Sequence, residues 1–393
     1  MTRHDPDSTT IQLALELLTA HGFDGLREAL QLLFNEAMKI ERAEYLGAAP
    51  YERSESRRGH ANGFKPKTIK TRVGTLELSV PQVREPDEEG VRFYPSALER
   101  GTRSERALTA ALAEMYVQGV STRRVRKITE ELCGTEISSS QVSRATKLLD
   151  DEIGQWRTRP LDPCPYVVLD ARYEKVRIGG VVVSAAVFVA MGIGEHGRRS
   201  ILGVSVGTSE AEVHWREFLE SLQLRGLRGV KLITSDSHSG LKAAIGATFP
   251  GTAWQRCQFH LQRNAVHHVS KVALRGEVAN CIRRVFAATD EVEARGLIED
   301  AVRKYESSEP KLSAWMAENL FESLAVLQVP VAHRKRLRTS NSVERLNREI
   351  KRRTKVASIF PNTESLLRLV TALAIEVSED WETGRIYLTM EPR

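Results

Sequence analysis

Apolar residues recur at helical spacing from about Thr10 to Leu46, at Ile11, Leu13, Leu15, Leu17 and Leu18 and then at Leu26, Leu30, Leu32 and Leu33, with a break at His21 to Asp24. This predicts two opening helices. After Pro50, Gly and Pro punctuate the chain, and Ile69, Val73, Leu76, Leu78 and Val80 alternate as in a strand, which predicts a small β-hairpin. From Ser104 to Asp150 the pattern reads as three helices. Ser121 and Ser138 are placed to cap the last two, and Gly134 is placed to close the first of that pair in a left-handed conformation. From Tyr166 the spacing changes. The runs YVVLDARYEKVRI, VVVSAAVFVAMGI and RSILGVSVG are rich in β-branched residues and joined by short Gly-containing turns, so they predict three strands. The amphipathic HWREFLESLQLRG, the buried strand VKLITSD, the helix SGLKAAIGATF and a strand around AWQRCQFH follow. Leu261 to about Val329 reads as helical throughout, and a further helix, NSVERLNREIKRR, comes after the basic run HRKRLRTS.

The chain has 393 residues, and at roughly 100 to 200 residues per domain it accommodates several folded units. The pattern divides it into helices and a basic hairpin over 1–103, a helix-turn-helix segment over 104–160, an α/β core over 161–264, an all-α insertion over 265–332 and a completion of the core over 333–393, with one charged helix and a C-terminal helix. A hydrophobic fraction of 41% and a charged fraction of 27% are ordinary for globular chains and argue against extensive disorder. No run approaches the roughly 18 apolar residues that a membrane span needs, and the N-terminus has no apolar leader core, so no membrane association is expected.

The formal net charge is +6, but its distribution carries more information than its size. Arg53 to Arg84 holds eight Lys or Arg against two acids, and Arg334 to Lys355 holds ten against two. Both stretches are candidate phosphate contacts, although most such runs end as solvated surface. In the first, Arg57, Arg58, Lys65 and Lys67 are the expected backbone anchors. The short Gly-containing link between the two capped helices is the grammar of a helix-turn-helix, which would offer Ser139, Ser140, Gln141, Ser143, Arg144 and Lys147 to a DNA groove. A plain helical hairpin has the same signature.

Two carboxylates stand out. Asp170 follows the apolar run Val167 to Leu169, and Asp236 ends the run Leu232 to Thr234. An acid in a buried strand loses solvation unless a cation or strong donor relieves it. A three-strand meander followed by helix, strand, helix and strand is the order of a ribonuclease-H-like sheet, and ligand sites of open α/β sheets gather at strand ends. Glu344 is the third candidate. At about 100° per residue, Val343, Leu346 and Ile350 share one helix face while Glu344, Asn347, Arg348 and Lys351 share the adjoining one, which sets an acid among cations. Taken alone, Glu344 pairing with Arg348 across one turn would explain it. Taken together, three acids make a hard-oxygen site suited to Mg²⁺ or Mn²⁺, and two such ions can drive an in-line phosphoryl transfer.

The four cysteines, Cys133, Cys164, Cys257 and Cys281, include no CxxC pair, which argues against a disulfide framework. Cys257 and His260 form a CxxH at the end of the fifth predicted strand. That is half a zinc site, and His267 and His268 offer no evident completion, so a structural role is favoured over zinc. His238 stands two residues after Asp236 and reads most simply as a turn histidine. The absence of a GxSxG elbow disfavours a serine hydrolase.

Six ordered segments, YERSESRRGHANGF, EMYVQGVSTRRV, ISSSQVSR, LDARYEKVR, CQFHLQRN and RTSNSVERLNREIKRRTKVASIFPN, make nearly the whole chain resemble the Mutator-like family of bacterial insertion-sequence transposases. The resemblance implies a ribonuclease-H-like catalytic domain with an all-helical insertion before the final catalytic helix. It also implies an acidic triad at Asp170 in LDARYEKVR, Asp236 in ITSDSHSG and Glu344 in NSVERLN, with Cys257 and His260 as the family's CxxH. The implied partners are double-stranded DNA, as terminal inverted repeats and as target, and a second copy of the chain. The implied setting is the bacterial cytoplasm, at the nucleoid when DNA is bound. A nuclease of the same fold without strand transfer, and a DNA-binding regulator with a dead nuclease fold, remain alternatives on sequence.

Overall fold

The computed structural model describes residues 6–52, 55, 57–84 and 93–390. Arg53, the first cation of the N-terminal basic stretch, lies outside them. The chain divides into two compact units, Met1–Leu149 and Asp150–Arg393.

In the first unit, helices α1 (Pro6–His21) and α2 (Leu26–Leu46) are joined by a 3-10 turn, Gly22–Gly25, where the helical pattern breaks. Strands β1 (His60–Thr71) and β2 (Gly74–Arg84) pair antiparallel. The alternation predicted for β2 is realised: Leu76, Leu78 and Val80 are buried with Met38 of α2 and Leu98. Helix α2 also engages the backbone of β2, since Gln31 Oε1 accepts from the Glu77 N–H at 2.9 Å and Asn35 Oδ1 from the Ser79 N–H at 2.8 Å. Side chains thus occupy donors that a bare strand edge would leave open. Helices α3 (Arg106–Val117), α4 (Thr122–Cys133) and α5 (Ser139–Thr146) enclose Leu108, Leu112, Val125, Ile137, Val142 and Ala145. Ser121 accepts from the Arg124 N–H, Ser138 and Gln141 form a reciprocal capping box, and Gly134 adopts φ 57°, where a side chain would be strained.

The second unit opens with α6 (Asp150–Thr158) and is built on a five-stranded sheet. Strands β3 (Tyr166–Ile178), β4 (Val181–Ile193) and β5 (Arg199–Gly207) form the meander. Then come α7 (Glu212–Leu224), β6 (Leu232–Ser235), α8 (Ser239–Thr248) and β7 (Ala253–Arg256). The spatial order is β5-β4-β3-β6-β7, with β6 and β7 parallel to β3. Phe188 and Leu169 from the sheet pack with Trp215, Phe218, Leu222, Leu241 and Ile245 of α7 and α8. The fifth strand ends at Arg256, earlier than the sequence predicts, and Cys257 is already the N-cap of α9 (Gln258–His267).

Helices α10 (Arg275–Phe286), α11 (Glu291–Tyr305) and α12 (Pro310–Asn319) build a separate helical core with α9 around Leu261, Ile282, Ile298, Leu312 and Met316. The basic run before the charged helix is itself helical, as α13 (Val331–Leu337). Helices α14 (Asn341–Ala357) and α15 (Thr363–Thr383) return to the sheet, and Ser378 of α15 accepts from the Ile201 N–H of β5 at 3.0 Å. Among the described residues no helix is long and apolar enough to cross a membrane.

Candidate active site

Strand pairing brings the first two acids together. Strands β3 and β6 run parallel with Val168 registered on Thr234, each two residues before an acid, and Asp170 and Asp236 lie within each other's electrostatic reach. The two carboxylates repel each other, yet repulsion is not the main influence on Asp170. Burial raises its carboxyl from 3.8 to about 6, and Asp236 adds to the rise. The N–H of Ala171, the positive field of His260 and a hydrogen bond from Asn347 Nδ2 all oppose it. Asp236 is more open, with a side chain 47% exposed, and its Oδ2 lies 3.7 Å from His260 Nδ1.

His260 sits on α9, one turn after Cys257. Its interaction with the Cys257 thiol raises its pKa, the two carboxylates add to that, and burial opposes it. Burial alone would raise Cys257, but hydrogen bonds from His260 and Ser340 outweigh it and hold the thiol below its ordinary value. Cys257 is fully buried and is a free thiol, like the other three cysteines.

Val343, Leu346 and Ile350 are fully buried, so the predicted inward face of α14 is the observed one. Asn347, on the adjoining face, donates to Asp170, and Arg172 of β3 donates to the Asn347 backbone carbonyl, which docks α14 on β3 beside the first acid. Glu344 is exposed, one turn before Asn347. Among the described residues no three acid, imidazole or thiol side chains stand close enough together to cage an ion, and Glu344 and Arg348 form no ion pair. Arg348 and Lys351 are exposed.

A divalent cation suits the residues that do converge. Asp170 carries a charge that its neighbours leave under-compensated, and the Asn347 side-chain oxygen beside it is buried without a hydrogen-bond partner. Oxygen donors of this kind match Mg²⁺ or Mn²⁺. Glu210 adds a further acid nearby: burial raises its pKa, with His238 and Tyr173 opposing the rise, and His238 Nδ1 lies 4.0 Å from its carboxylate.

The expected DNA contacts sort into engaged and available side chains. Lys67 donates to the Tyr94 hydroxyl at 2.6 Å and to the Glu99 carbonyl at 3.0 Å. Arg57 donates to the carbonyls of Gly59 and Glu52, and Gln141 is committed to the Ser138 cap. Arg58, Lys65, Ser140, Arg144 and Lys147 are exposed. Asn347, Ser340 and Thr234 are among the residues at this site to which sequence reasoning assigns no role. Their partners lie far off along the chain, and only the presence of Asn347 on the Glu344 face pointed to any of them.

A sequence model of the Mutator family of transposases matches residues 2–384, and the chain belongs to that family. Its class is therefore that of enzymes that cut DNA and transfer the strands. Among individual proteins, it is 53% identical over 388 residues to the transposase for insertion sequence element IS406 of Burkholderia multivorans, an alignment covering 98% of this chain and 99% of that one. It is 44% identical to the transposase for insertion sequence element ISRM5 of Rhizobium meliloti, over 98% and 96% of the two chains. It is 38% identical to the transposase for insertion sequence element IS256 in transposon Tn4001 of Staphylococcus aureus, over 94% of each.

Proposed function

We propose that the chain cuts and joins DNA at the ends of an insertion sequence through Asp170, Asp236 and Glu344, which hold a pair of Mg²⁺ or Mn²⁺ ions. The observation that carries this reading is the parallel β3–β6 register, in which the paired Val168 and Thr234 each precede one of the two aspartates by two residues. The sheet order β5-β4-β3-β6-β7 supports a ribonuclease-H-like core, and the capped α4–α5 pair supports a helix-turn-helix. When bound, the ions supply activation of the attacking oxygen and stabilisation of the leaving one. The chain's own residues do the rest. Asp170, within β3, and Asp236, just beyond the end of β6, present the carboxylate oxygens. Asn347 orients the Asp170 carboxylate. Arg348 and Lys351 present charge to the phosphate backbone on the same helix as Glu344.

The substrates in this reading are double-stranded terminal inverted repeats and a target duplex, and the acting form is a homodimer. The test is strand cleavage and joining on end duplexes by Asp170→Asn, Asp236→Asn and Glu344→Gln, in Mg²⁺ and in Mn²⁺. Each variant is expected to bind ends and to neither cut nor join. Near-normal strand transfer by any of them removes that residue from the site.

A further inference from the structure

Helix α14 starts from a segment, 337–340, that is fastened at three points, one on β6 and two at the start of α9. The Thr234 hydroxyl donates to the Leu337 carbonyl at 2.6 Å. The Gln258 backbone N–H donates to the Arg338 carbonyl at 2.9 Å. The backbone N–H and the hydroxyl of Ser340 both donate to the Cys257 sulfur at 3.4 Å. Thr234, Cys257 and Ser340 are all buried, so water cannot substitute for a lost partner.

The fastening points converge on one residue. Thr234 precedes Asp236 by two positions on β6, and the Cys257 N–H donates to the carbonyl of Ser235, immediately before Asp236, at 2.7 Å. One end of Cys257 therefore registers the end of β6, while its sulfur registers the start of α14. Ser340 adds a second, independent observation. It occupies the N-cap of α14, where a serine hydroxyl ordinarily accepts from a backbone N–H of the first turn, yet it makes no such cap. Its hydroxyl is directed at the Cys257 sulfur instead. The chain thus forgoes a serine cap at the start of the helix that carries Glu344.

We infer that Cys257 and Thr234 are positioning residues that set the register of α14, and with it Glu344, against Asp236. This gives the CxxH segment a task that its sequence left open: its cysteine places the helix of the third acid, while its histidine stands beside the second. The inference rests on the proposed role of Glu344, four residues after Ser340 and so about one helical turn into α14.

The test uses the full chain bound to an end duplex, with Mn²⁺ affinity measured by titration, single-turnover cleavage measured at saturating Mn²⁺, and DNA affinity and thermal melting measured alongside. Cys257→Ala is expected to weaken Mn²⁺ binding about tenfold and to slow cleavage, with DNA affinity unchanged, as loss of groups that orient metal ligands does. Cys257→Ser, which keeps an acceptor, should recover most of the loss, and Thr234→Val should reproduce it while Thr234→Ser does not. In a Glu344→Gln background, Cys257→Ala should weaken Mn²⁺ binding no further, because the residue it positions is already gone. If Glu344→Gln weakens Mn²⁺ binding but neither Cys257→Ala nor Thr234→Val does, the positioning role is overturned and the acid's role stands. If Glu344→Gln itself leaves Mn²⁺ binding unchanged, the reading of Glu344 fails. Should Cys257→Ala not fold, full activity and unchanged Mn²⁺ affinity in Thr234→Val would by themselves overturn the inference.

Discussion

The side-chain amide of Asn347 donates to the carboxylate of Asp170 across 177 residues of sequence, and this bond fixes the charged helix α14 against the strand that carries the first acid. The bond favours the ionised carboxylate, so its removal should raise the Asp170 pKa further. Asn347→Ala is therefore expected to move the acidic limb of the cleavage pH profile to higher pH and to slow cleavage by about 10- to 100-fold near neutrality. A slower enzyme with an unmoved acidic limb would show that Asn347 serves only the packing of α14.

Asp170 also makes stability depend on pH in a defined direction. Its carboxyl is raised by burial from 3.8 to about 6, so the folded chain holds this proton more tightly than the unfolded chain does. The resulting stabilisation is fully present below about pH 4 and is lost as pH rises through about 6. Above that, the ionised carboxylate costs on the order of 3 kcal/mol. Without divalent metal, Asp170→Asn should melt above the parent chain at pH 7.5, with the gap closing toward pH 4. Mn²⁺ should stabilise the parent and not the variant. A variant that melts below the parent at pH 7.5 without metal would contradict the cost assigned to burial.

Lys65 and Lys67 face different fates although both lie in the basic hairpin. Lys67 is engaged by Tyr94 and Glu99, while Lys65 is exposed. Lys67→Met should lower stability by about 1 kcal/mol and leave the salt dependence of DNA binding alone. Lys65→Ala should leave melting unchanged and reduce the salt slope by roughly one unit, as expected for one lost phosphate contact. Melting curves and a salt series on the two variants decide between these assignments, and the reverse pattern would exchange them.

On α14, Arg348 and Lys351 are exposed, and the helix ion pair that would have occupied Arg348 does not form. Arg348→Ala and Lys351→Ala should each weaken binding to all duplexes and flatten the salt dependence by about one unit without lowering the melting temperature. An unchanged slope with a lowered melting temperature would assign these side chains to the helix and not to the substrate.

What is legible in the sequence follows from how local its cause is. The three meander strands are readable to the residue, because each is a β-branched run ended by glycines or charged turns. The caps at Ser121 and Ser138 are readable because capping is decided within four residues. The end of β7 is not, since nothing local stops the strand at Arg256. Cys257 still donates its N–H to Ser235 of β6, while the Gln258 N–H goes to the Arg338 carbonyl, far along the chain. The acids Asp170 and Asp236 are visible as charges ending apolar runs, whereas Asn347 is indistinguishable from a surface asparagine until β3 is beneath it. Gln141 and Lys67 look free in the sequence, and the fold gives each an internal hydrogen-bond partner. Glu344 is exposed on α14, and among the described residues it does not join the aspartates in a cluster tight enough to cage an ion.

The joint claim about Asp170, Asp236 and Glu344 is tested most directly by counting Mn²⁺ ions bound to the complex of the full chain with an end duplex, in the parent chain and in Glu344→Gln. Two ions per protomer are expected for the parent. The variant is expected to lose at least one of them, or to bind it at least tenfold more weakly, with its affinity for the duplex unchanged. Two ions bound by Glu344→Gln as tightly as by the parent would contradict a site in which the third acid joins the other two.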